Sequence, residues 1–419
     1  MSSVAHRLDE AVVGDRFELA VGAVAPGGHC VARIGGSGGR VVFVRHTLPG
    51  ERVVAEVTEV HRAYLRADAV EVLSASPDRV EPPCPYARPG ACGGCDLQHV
   101  SVPAQASWKA AVISEQLARL AGLTGAEIAA LDLRVQALPG GPLGWRSRVR
   151  YTVDAAGRAG LLRHRSHEVV PVDRCRIAHP AVQDLAVTAR AWPAADAVEV
   201  VASTGGDVAV LPRPAEPGPT PDRPAEPGPG PAAVTERALG REWTVPVDGF
   251  WQVHPAAADT LVTAVLEMLR PAPGETAWDL YGGAGLFAAA VADRTKAPVT
   301  VVESANAGVA SARANLADLA GVEVVQAKVE VALARRRVTG PVDLVVLDPP
   351  RTGAGNKVVR AITAAGPRAV AYVACDPVAL ARDIATFAAE GWRLAEIRGY
   401  DCFPMTQHIE CVALILPVS

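Results

Sequence analysis

The sequence predicts an α/β chain in three parts: an amino-terminal OB-like β-barrel, a central α+β region carrying a cysteine cluster, and a carboxyl-terminal Rossmann-like domain. Three observations carry this. Short Val-rich runs separated by glycine turns fill the first 75 residues, three cysteines crowd one loop from 84 to 95, and strand–turn–helix units recur after 247. The expected bounds are 1–75, 76–246 and 247–419.

The totals set limits. A length of 419 residues corresponds to about three domains. The chain is 49% hydrophobic and 21% charged, with no apolar run near the roughly 20 residues of a membrane span and no cationic-then-apolar leader. A cytoplasmic monomer that does not touch membranes is expected, so the eight cysteines need individual explanations rather than a disulfide framework. Cys30, Cys402 and Cys411 are assigned to packing. A net charge of −4 argues against nonspecific coating of nucleic acid, and leaves open RNA binding through a local basic face.

In the first part, Phe17–Val21, Val41–Val44, Arg52–Val57 and Ala67–Leu73 read as strands of a small antiparallel barrel. Gly35–Arg40 and Leu48–Glu51 are turns. Arg45, His46, Arg62, Tyr64 and Arg66 are cations and one aromatic between strands, a surface that suits single-stranded nucleic acid by stacking and charge. An ordinary solvated barrel face competes with that reading.

Cys84, Cys92 and Cys95 stand in C-x7-C-x2-C spacing. Gly93 and Gly94 let the backbone fold back so that two thiolates reach one metal, with Cys175 as the fourth ligand. Four thiolates suit zinc or an iron–sulfur cluster. Three clustered ligands plus one remote favour a [4Fe-4S] cluster, with Zn as the alternative. The C-x3-C-x2-C pattern of radical enzymes is absent. Ala104–Leu123 reads as an amphipathic packing helix. Trp145–Val153 then alternates cation and uncharged residue, which would put Arg146, Arg148 and Arg150 on one strand face, as an RNA backbone contact or a solvated hairpin. A Pro-rich repeat at 212–233 cannot bury a core and is assigned no chemistry.

In the last part, Ala277–Phe287 is a strand, a glycine turn and a helix beginning near Leu286, a geometry that admits a ligand to the backbone. Val299–Glu303 is a second strand ending in an acid placed to grip a ribose. No G-x-G-x-x-G turn is present, which favours S-adenosylmethionine over a dinucleotide. Val342–Leu347 is a buried strand stopped by Asp348-Pro349-Pro350, so that Asp348 projects into the cleft. Ala369–Cys375 is another, and Pro377 starts the next helix. Cys375 thus sits at a strand's carboxyl edge beside a helix amino terminus, where a thiolate is favoured; a small core residue is the competing account. Glu410 is the single acid entering the apolar strand to Leu416, where burial would make it a proton acceptor.

Asp-Pro-Pro-Arg-x-Gly at 348–353, Tyr-Val-x-Cys-x-Pro-x-x-Leu-Ala-Arg-Asp at 372–383 and Phe-Pro-x-Thr-x-His-x-Glu at 403–410, in this order, resemble the 5-methyluridine RNA methyltransferases. With Phe250–Val253 and the cysteine loop added, the likeness spans nearly the whole chain. It looks closest to the ribosomal-RNA branch, which carries a TRAM barrel and a four-iron cluster that the transfer-RNA branch lacks. The resemblance implies a class I methyltransferase domain and methyl transfer from S-adenosylmethionine to C5 of a uridine in RNA, 23S ribosomal RNA before tRNA. It implies Cys375 as nucleophile, Glu410 as base, and Gln252, Tyr281, Glu303 and Asp348 as cofactor-binding residues. Trp251, Phe403 and His408 would line a pocket for a flipped base. The chain departs from the family's usual residues at His254, Gly282, Leu286, Lys328 and Asp376, which bears on the cofactor site more than on the chemistry. The alternatives are a cluster-bearing RNA-binding protein with a decayed cofactor site, and a tRNA uridine-C5 methyltransferase. A cytosine enzyme is disfavoured because Arg351 follows Asp-Pro-Pro.

Overall fold

The structure, a computed structural model, describes residues 11–36, 38–214, 230–339 and 341–418. Six strands open the chain: β1 (Arg16–Ala20), β2 (Val24–Ala25), β3 (His29–Ile34), β4 (Arg40–Arg45), β5 (Arg52–Val60) and β6 (Tyr64–Ser74). They form one sheet in the order β1-β5-β6-β4-β3-β2. The sheet departs from the expected antiparallel barrel in one pairing, because β4 and β6 run parallel, with β5 as the crossover between them. Alternate residues of β5 (Val53, Ala55, Val57) turn into the core, as a period of two requires. Two of the expected surface cations also turn inward. Arg45 and His46 are buried, with Arg45 facing Asp68 at 3.8 Å and Asp96 at 3.6 Å.

The middle of the chain begins with α1 (Val102–Arg119), α2 (Gly125–Ala130) and the short β7 (Val135–Ala137). Pro103 in the first turn suits a helix start. A five-stranded sheet follows, made of β8 (Arg148–Val153), β9 (Ala159–Leu162), β10 (Val169–Val170), β11 (Ala195–Ala202) and β12 (Val208–Pro214), ordered β10-β9-β8-β11-β12, with α3 (Pro180–Asp184) beside it. Residues 215–229 of the Pro-rich repeat lie outside the described residues; its first residues, Pro212–Pro214, finish β12. β13 (Ala233–Ala238) and β14 (Arg241–Pro246) form a separate hairpin.

The remainder alternates strand and helix: α4 (Ala257–Leu269), β15 (Ala277–Leu280), α5 (Leu286–Thr295), β16 (Val299–Glu303), α6 (Asn306–Asn315), β17 (Val322–Gln326), α7 (Val329–Ala334), β18 (Leu344–Leu347), α8 (Asn356–Ala365), β19 (Ala369–Ala374), α9 (Pro377–Ala389), β20 (Trp392–Asp401) and β21 (Glu410–Pro417). The sheet order is β17-β16-β15-β18-β19-β21-β20-β7. The five strands β15 to β19 are parallel, and β21 enters antiparallel beside β19. Both faces are covered, which explains strands that read as unbroken Val/Leu/Ala runs. Strands β18 and β19 show the split: Leu344, Val346, Ala371 and Val373 pack on one face, Val345, Leu347, Val370 and Tyr372 on the other. The order reverses between β15 and β18, so the cleft opens at their carboxyl ends.

Helix α1 joins the parts. Ile113 and Leu117 pack into the core of the large sheet, while Trp108 and Val112 pack against the barrel. From the same helix, Lys109 Nζ reaches Asp401 Oδ1 at 2.6 Å and the Phe403 carbonyl at 3.2 Å, with Lys109 only 1% exposed. Lys109→Met would leave Asp401 as a buried, unpaired carboxylate and should cost about 3–5 kcal/mol in urea unfolding. Lys109→Met with Asp401→Leu should recover most of that loss; equal losses in the two variants would show that packing, not the charge pair, carries the effect.

Candidate active site

The cleft is built from strand ends. β15 runs into a turn in which Tyr281, Gly283 and Gly285 hold positive φ values of 65°, 52° and 91°. Glu303, at the end of β16, closes over that turn by accepting from Gly283 N at 3.0 Å and from Ala305 N at 2.7 Å. At Gly282 a Cβ would stand 2.5 Å from Val301 Cγ1, so this packing admits only glycine there. Beneath the turn, Asp279 accepts from Ala288 N at 2.8 Å through Oδ2, and among the described residues its Oδ1 has no hydrogen-bond partner. Burial, aided by the Glu303 charge, pushes its carboxyl up to about 7.

β18 stops at Asp348-Pro349-Pro350, and the loop beyond is pinned from α9. Asp383 accepts from Ala354 N at 2.8 Å, from Tyr372 Oη at 2.6 Å and from Gly355 N at 3.2 Å. Asp348 is consequently held at the cleft floor, where desolvation and then the Asp279 charge push its carboxyl up to about 7. Cys375 follows β19. Next to it Asp376 caps α9, with Oδ1 accepting from Val378 N and Ala379 N, each at 2.9 Å. The expectation that the helix terminus favours a Cys375 thiolate does not hold. Burial first, then the charges of Glu410 and Asp348, push the thiol up to about 12, with Arg351 pulling the other way. The reason is magnitude: desolvation and two nearby carboxylates outweigh one helix end.

Glu410 opens β21, in register with Tyr400 on β20. It is 5% exposed and its Oε2 has no hydrogen-bond partner among the described residues. Burial, then the Asp348 charge, raise it well above the ordinary carboxylate range, with Arg351 opposing. Arg351 Nη2 lies 3.1 Å from His408 Nδ1, and burial and that guanidinium take the imidazole down to about 4.

Gln252, Tyr281, Glu303, Asp348, Cys375 and Glu410 all line one cleft of about 1100 Å³. Trp251, Phe403 and His408 line it too. Asp279, Arg351 and Asp383 shape the site although the sequence assigned none of them a role there; Arg351 and Asp383 stand in the quoted motifs, Asp279 does not. Asp279 carries the same signal as Glu410, a lone acid in an apolar strand; Asp383 and Arg351 act through loop geometry that no periodicity reveals.

The four cysteines of the central region lie near one another. Cys92 and Cys95 are each raised by burial and by the Cys175 charge, Cys92 to about 11, and Cys175 by burial and by Cys84. Arg146 pulls Cys92 and Cys175 the other way. Among the described residues no three His, Cys, Asp or Glu side chains stand in a ready-made metal geometry. The arginine stripe is divided. Arg148 turns inward to Glu236 at 2.8 Å and to the Gly249 carbonyl at 3.0 Å, leaving Arg150 as its exposed member. A buried carboxylate opposite β8 draws Arg148 in, and the alternation pattern does not contain that information.

Comparison with known proteins gives the same outline. Residues 10–70 match the family described as TRAM domain, and residues 239–417 the family described as tRNA (Uracil-5-)-methyltransferase. An uncharacterized RNA methyltransferase of Streptomyces avermitilis is 50% identical over 97% of this chain and 99% of its own. One from Streptomyces coelicolor is 49% identical over 100% and 96%. Among solved structures, the Pyrococcus abyssi tRNA (uracil-54, C5)-methyltransferase in complex with S-adenosyl-L-homocysteine superposes with a TM-score of 0.71, at 21% identity, over 95% of this chain and 99% of that one. Among the described residues no helix is long and apolar enough to cross a membrane.

The charge pattern around Cys375 makes its reactivity measurable. With the thiol at about 12, iodoacetamide labelling of the Cys375 peptide should be slow at pH 7 and rise about tenfold per pH unit up to pH 10. Glu410→Gln removes a group whose charge raises the thiol and should speed labelling at the alkaline end of that range, where Glu410 is ionised, with little effect where it is protonated. Arg351→Ala should slow it. Labelling already maximal at pH 7 would contradict this electrostatic account.

Proposed function

The chain belongs to the uracil-C5 RNA methyltransferase family, and on that premise we propose that it methylates C5 of a uridine in ribosomal RNA through a covalent adduct on Cys375. The observation that carries the reading is the convergence of Cys375, Glu410 and Asp348 on one cleft beside the Tyr281–Gly285 turn. S-adenosylmethionine supplies a methyl group activated by a sulfonium. The residues present suit such a ligand. Asp279 and Glu410 are buried carboxylates, Asp348 is a third, desolvated beside them, and Asp279 Oδ1 and Glu410 Oε2 have no partner among the described residues. A cationic ligand would relieve that surplus. Gln252, Tyr281, Glu303 and Asp348 are the residues assigned to hold it.

Uracil C5 is a poor nucleophile until a group adds to C6. Cys375 Sγ would give up its proton to solvent and bond to C6; the electron pair of the C5–C6 double bond would move onto C5 and the C4 carbonyl, so that C5 could take the methyl group as its bond to the sulfonium sulfur breaks, that sulfur keeping the pair and leaving as a neutral thioether. Glu410 then accepts the C5 proton, the C5–C6 double bond re-forms, and the C6–sulfur bond breaks to return the thiolate. Arg351, the cation that lowers both Cys375 and Glu410, stabilises the charge that passes between them. Phe403, His408 and Trp251 line the space for the flipped base.

Two observations divide the choice of substrate. The TRAM domain and the four-cysteine pattern favour ribosomal RNA, as the sequence resemblance implies. The superposition with a tRNA-modifying enzyme over 99% of its chain favours tRNA. For the cysteine site, the C-x7-C-x2-C spacing of Cys84, Cys92 and Cys95 with the remote Cys175 supports a thiolate-ligated [4Fe-4S] cluster, with Zn as the alternative; among the described residues these side chains do not stand in a metal geometry.

Unmodified ribosomal RNA containing 5-fluorouridine should trap the protein as an adduct that survives denaturing electrophoresis, because fluorine replaces the proton that Glu410 removes. Cys375→Ala should abolish the adduct. Glu410→Gln should accumulate it on ordinary RNA and lower turnover by about 10²–10⁴-fold. No methyl on uracil in either RNA and no adduct would refute the reading; product in tRNA alone would transfer it to the second substrate.

Iron and sulfide analysis of anaerobically purified protein should find about four of each per chain, with visible absorbance lost in Cys92→Ser. One equivalent of zinc and no absorbance would establish the alternative.

A further inference from the structure

A second hollow, about 560 Å³, lies outside the cleft, between the β8–β9 hairpin, the loop after β9 and the Gly93–Gly94 turn. Arg150, Arg163, His164, Arg165 and His167 line it, and among the described residues no Asp or Glu does. In a chain of net charge −4, three arginines and two histidines around one concavity with no acid among its described lining residues suit an anion, the charge coming from the arginines because burial and the neighbouring guanidiniums take His164 down to about 4. Each arginine has its carboxylate partner away from the lining. Arg150 meets Glu199 at 3.3 Å, Arg163 meets Glu168 at 2.8 Å and Arg165 meets Glu59 at 2.9 Å. These pairs orient the guanidiniums and leave them 63%, 43% and 48% exposed, open to a further anion. Among the described residues His164 Nε2 is buried without a hydrogen-bond partner.

The floor is fixed. Gly93 N donates to the Leu162 carbonyl at 2.9 Å, Cys92 bridges to Arg163, and a Cβ at Gly93 would stand 2.5 Å from His164 Cα. Leu161 and Leu162 give it an apolar patch, and Thr152 and Ser166 give it hydroxyls. The volume is nucleotide-sized rather than phosphate-sized. The hollow is also tied to the catalytic cleft by one strand. Ser147 N and Oγ both donate to the Val253 carbonyl, at 2.8 and 2.9 Å, and Arg148 donates to the Gly249 carbonyl, so β8 begins against the cleft wall. Arg150 and Thr152 share the face of Arg148, with Thr152 about 13 Å further along.

We propose that this hollow holds one nucleotide of the substrate RNA strand beyond the flipped uridine, with its phosphate on Arg150 and Arg165 and its sugar and base against Leu161 and Leu162. The proposal rests on the RNA methyltransferase reading and adds a second anchoring point, set by β8 at a fixed distance from Cys375. It gives the strand a direction across the protein, from the Phe250–Val253 wall toward the cysteine loop.

The test measures binding of unmodified ribosomal RNA and tRNA as a function of salt, for the full-length protein and for Arg150→Ala/Arg165→Ala. The double variant should bind the substrate RNA about tenfold more weakly at low salt and lose about 0.7 from the slope of log K against log salt for each phosphate contact removed. S-adenosylmethionine affinity should hold, which reports an intact fold, and Arg150→Lys should restore part of the slope. Arg134→Ala/Arg313→Ala, two exposed arginines elsewhere, serves as the control. Equal weakening by the control, or RNA binding unchanged in the double variant, overturns the proposal. Saturable binding of uridine monophosphate that needs Arg150 and Arg165, with RNA binding unaffected, would make this a free-nucleotide site and also overturn it. Wild-type protein that binds neither RNA would overturn the underlying activity instead.

Discussion

The buried contact between Lys109 and Asp401 is the constraint on which the arrangement of this protein depends. Both charges are out of water, and neither could remain there alone. Lys109 belongs to α1, Asp401 is the last residue of β20, and the same ammonium also takes the Phe403 carbonyl. The loop that follows is held at four further points from outside its own sheet. Met405 N donates to Gln105, Leu97 N donates to the Met405 carbonyl, Gln407 N donates to Asp96, and Gly27 N donates to Gln407. Barrel, cysteine loop and α1 therefore all terminate on residues 401–408, which deliver Phe403, His408 and Glu410 to the cleft. A loop with so many outside partners is positioned by the whole chain rather than by its own strand.

The cleft shows the opposite electrostatic character. Asp279 and Glu410 are buried and Asp348 is half-buried beside them, the Asp279 charge raising Asp348 and the Asp348 charge raising Glu410, and Arg351 is set against them without forming an ion pair among the described residues. Such an assembly is unfavourable for folding and would be relieved by a ligand that carries positive charge. The rigid parts around it absorb that strain. Asp383 ties the loop after Pro350 to Tyr372 and to α9, and Glu303 ties the glycine turn to β16. Cys375 and Glu410, the nucleophile and base of the proposed reaction, thus stand at the ends of adjacent strands of one sheet, with their backbone spacing set by the β19–β21 register.

Most of the carboxyl-terminal fold was legible because its signals are local. A strand covered on both faces reads as an apolar run, a positive φ reads as glycine, and Pro377 marks the start of α9. Cys375 and Glu410 were visible as exceptions within such runs. The parallel pairing of β4 with β6 was not, since pairing across a crossover leaves no local trace. Nor was the inward turn of Arg148, which depends on Glu236, 88 residues away. Arg45 and His46 looked like surface cations for the same reason: Asp96, which receives Arg45, comes from the cysteine loop. Charge that is buried against a distant partner is the part of this structure that composition and periodicity cannot express.

Four of the five departures from the family pattern acquire physical accounts once the partners are known; nothing in the structure explains Lys328, which lines the cleft just before α7. Gly282 is required by Val301, and Leu286 is 7% exposed in the core beneath the glycine turn. His254 stacks on Trp145 with centroids 6.0 Å apart and accepts from Ala256 N, while its buried Nε2 has no hydrogen-bond partner among the described residues. Asp376, the neighbour of Cys375 in sequence, reads from the sequence alone as a direct opponent of the thiolate. Its carboxylate instead turns to Val378 N and Ala379 N, and its effect on Cys375 ranks below those of burial, Glu410 and Asp348. The groups that govern the nucleophile are therefore the two carboxylates of the proposed reaction itself. Neutralising either one, by protonation or by a cation beside it, favours the thiolate, so the electrostatics that protect Cys375 also couple its activation to what enters the cleft.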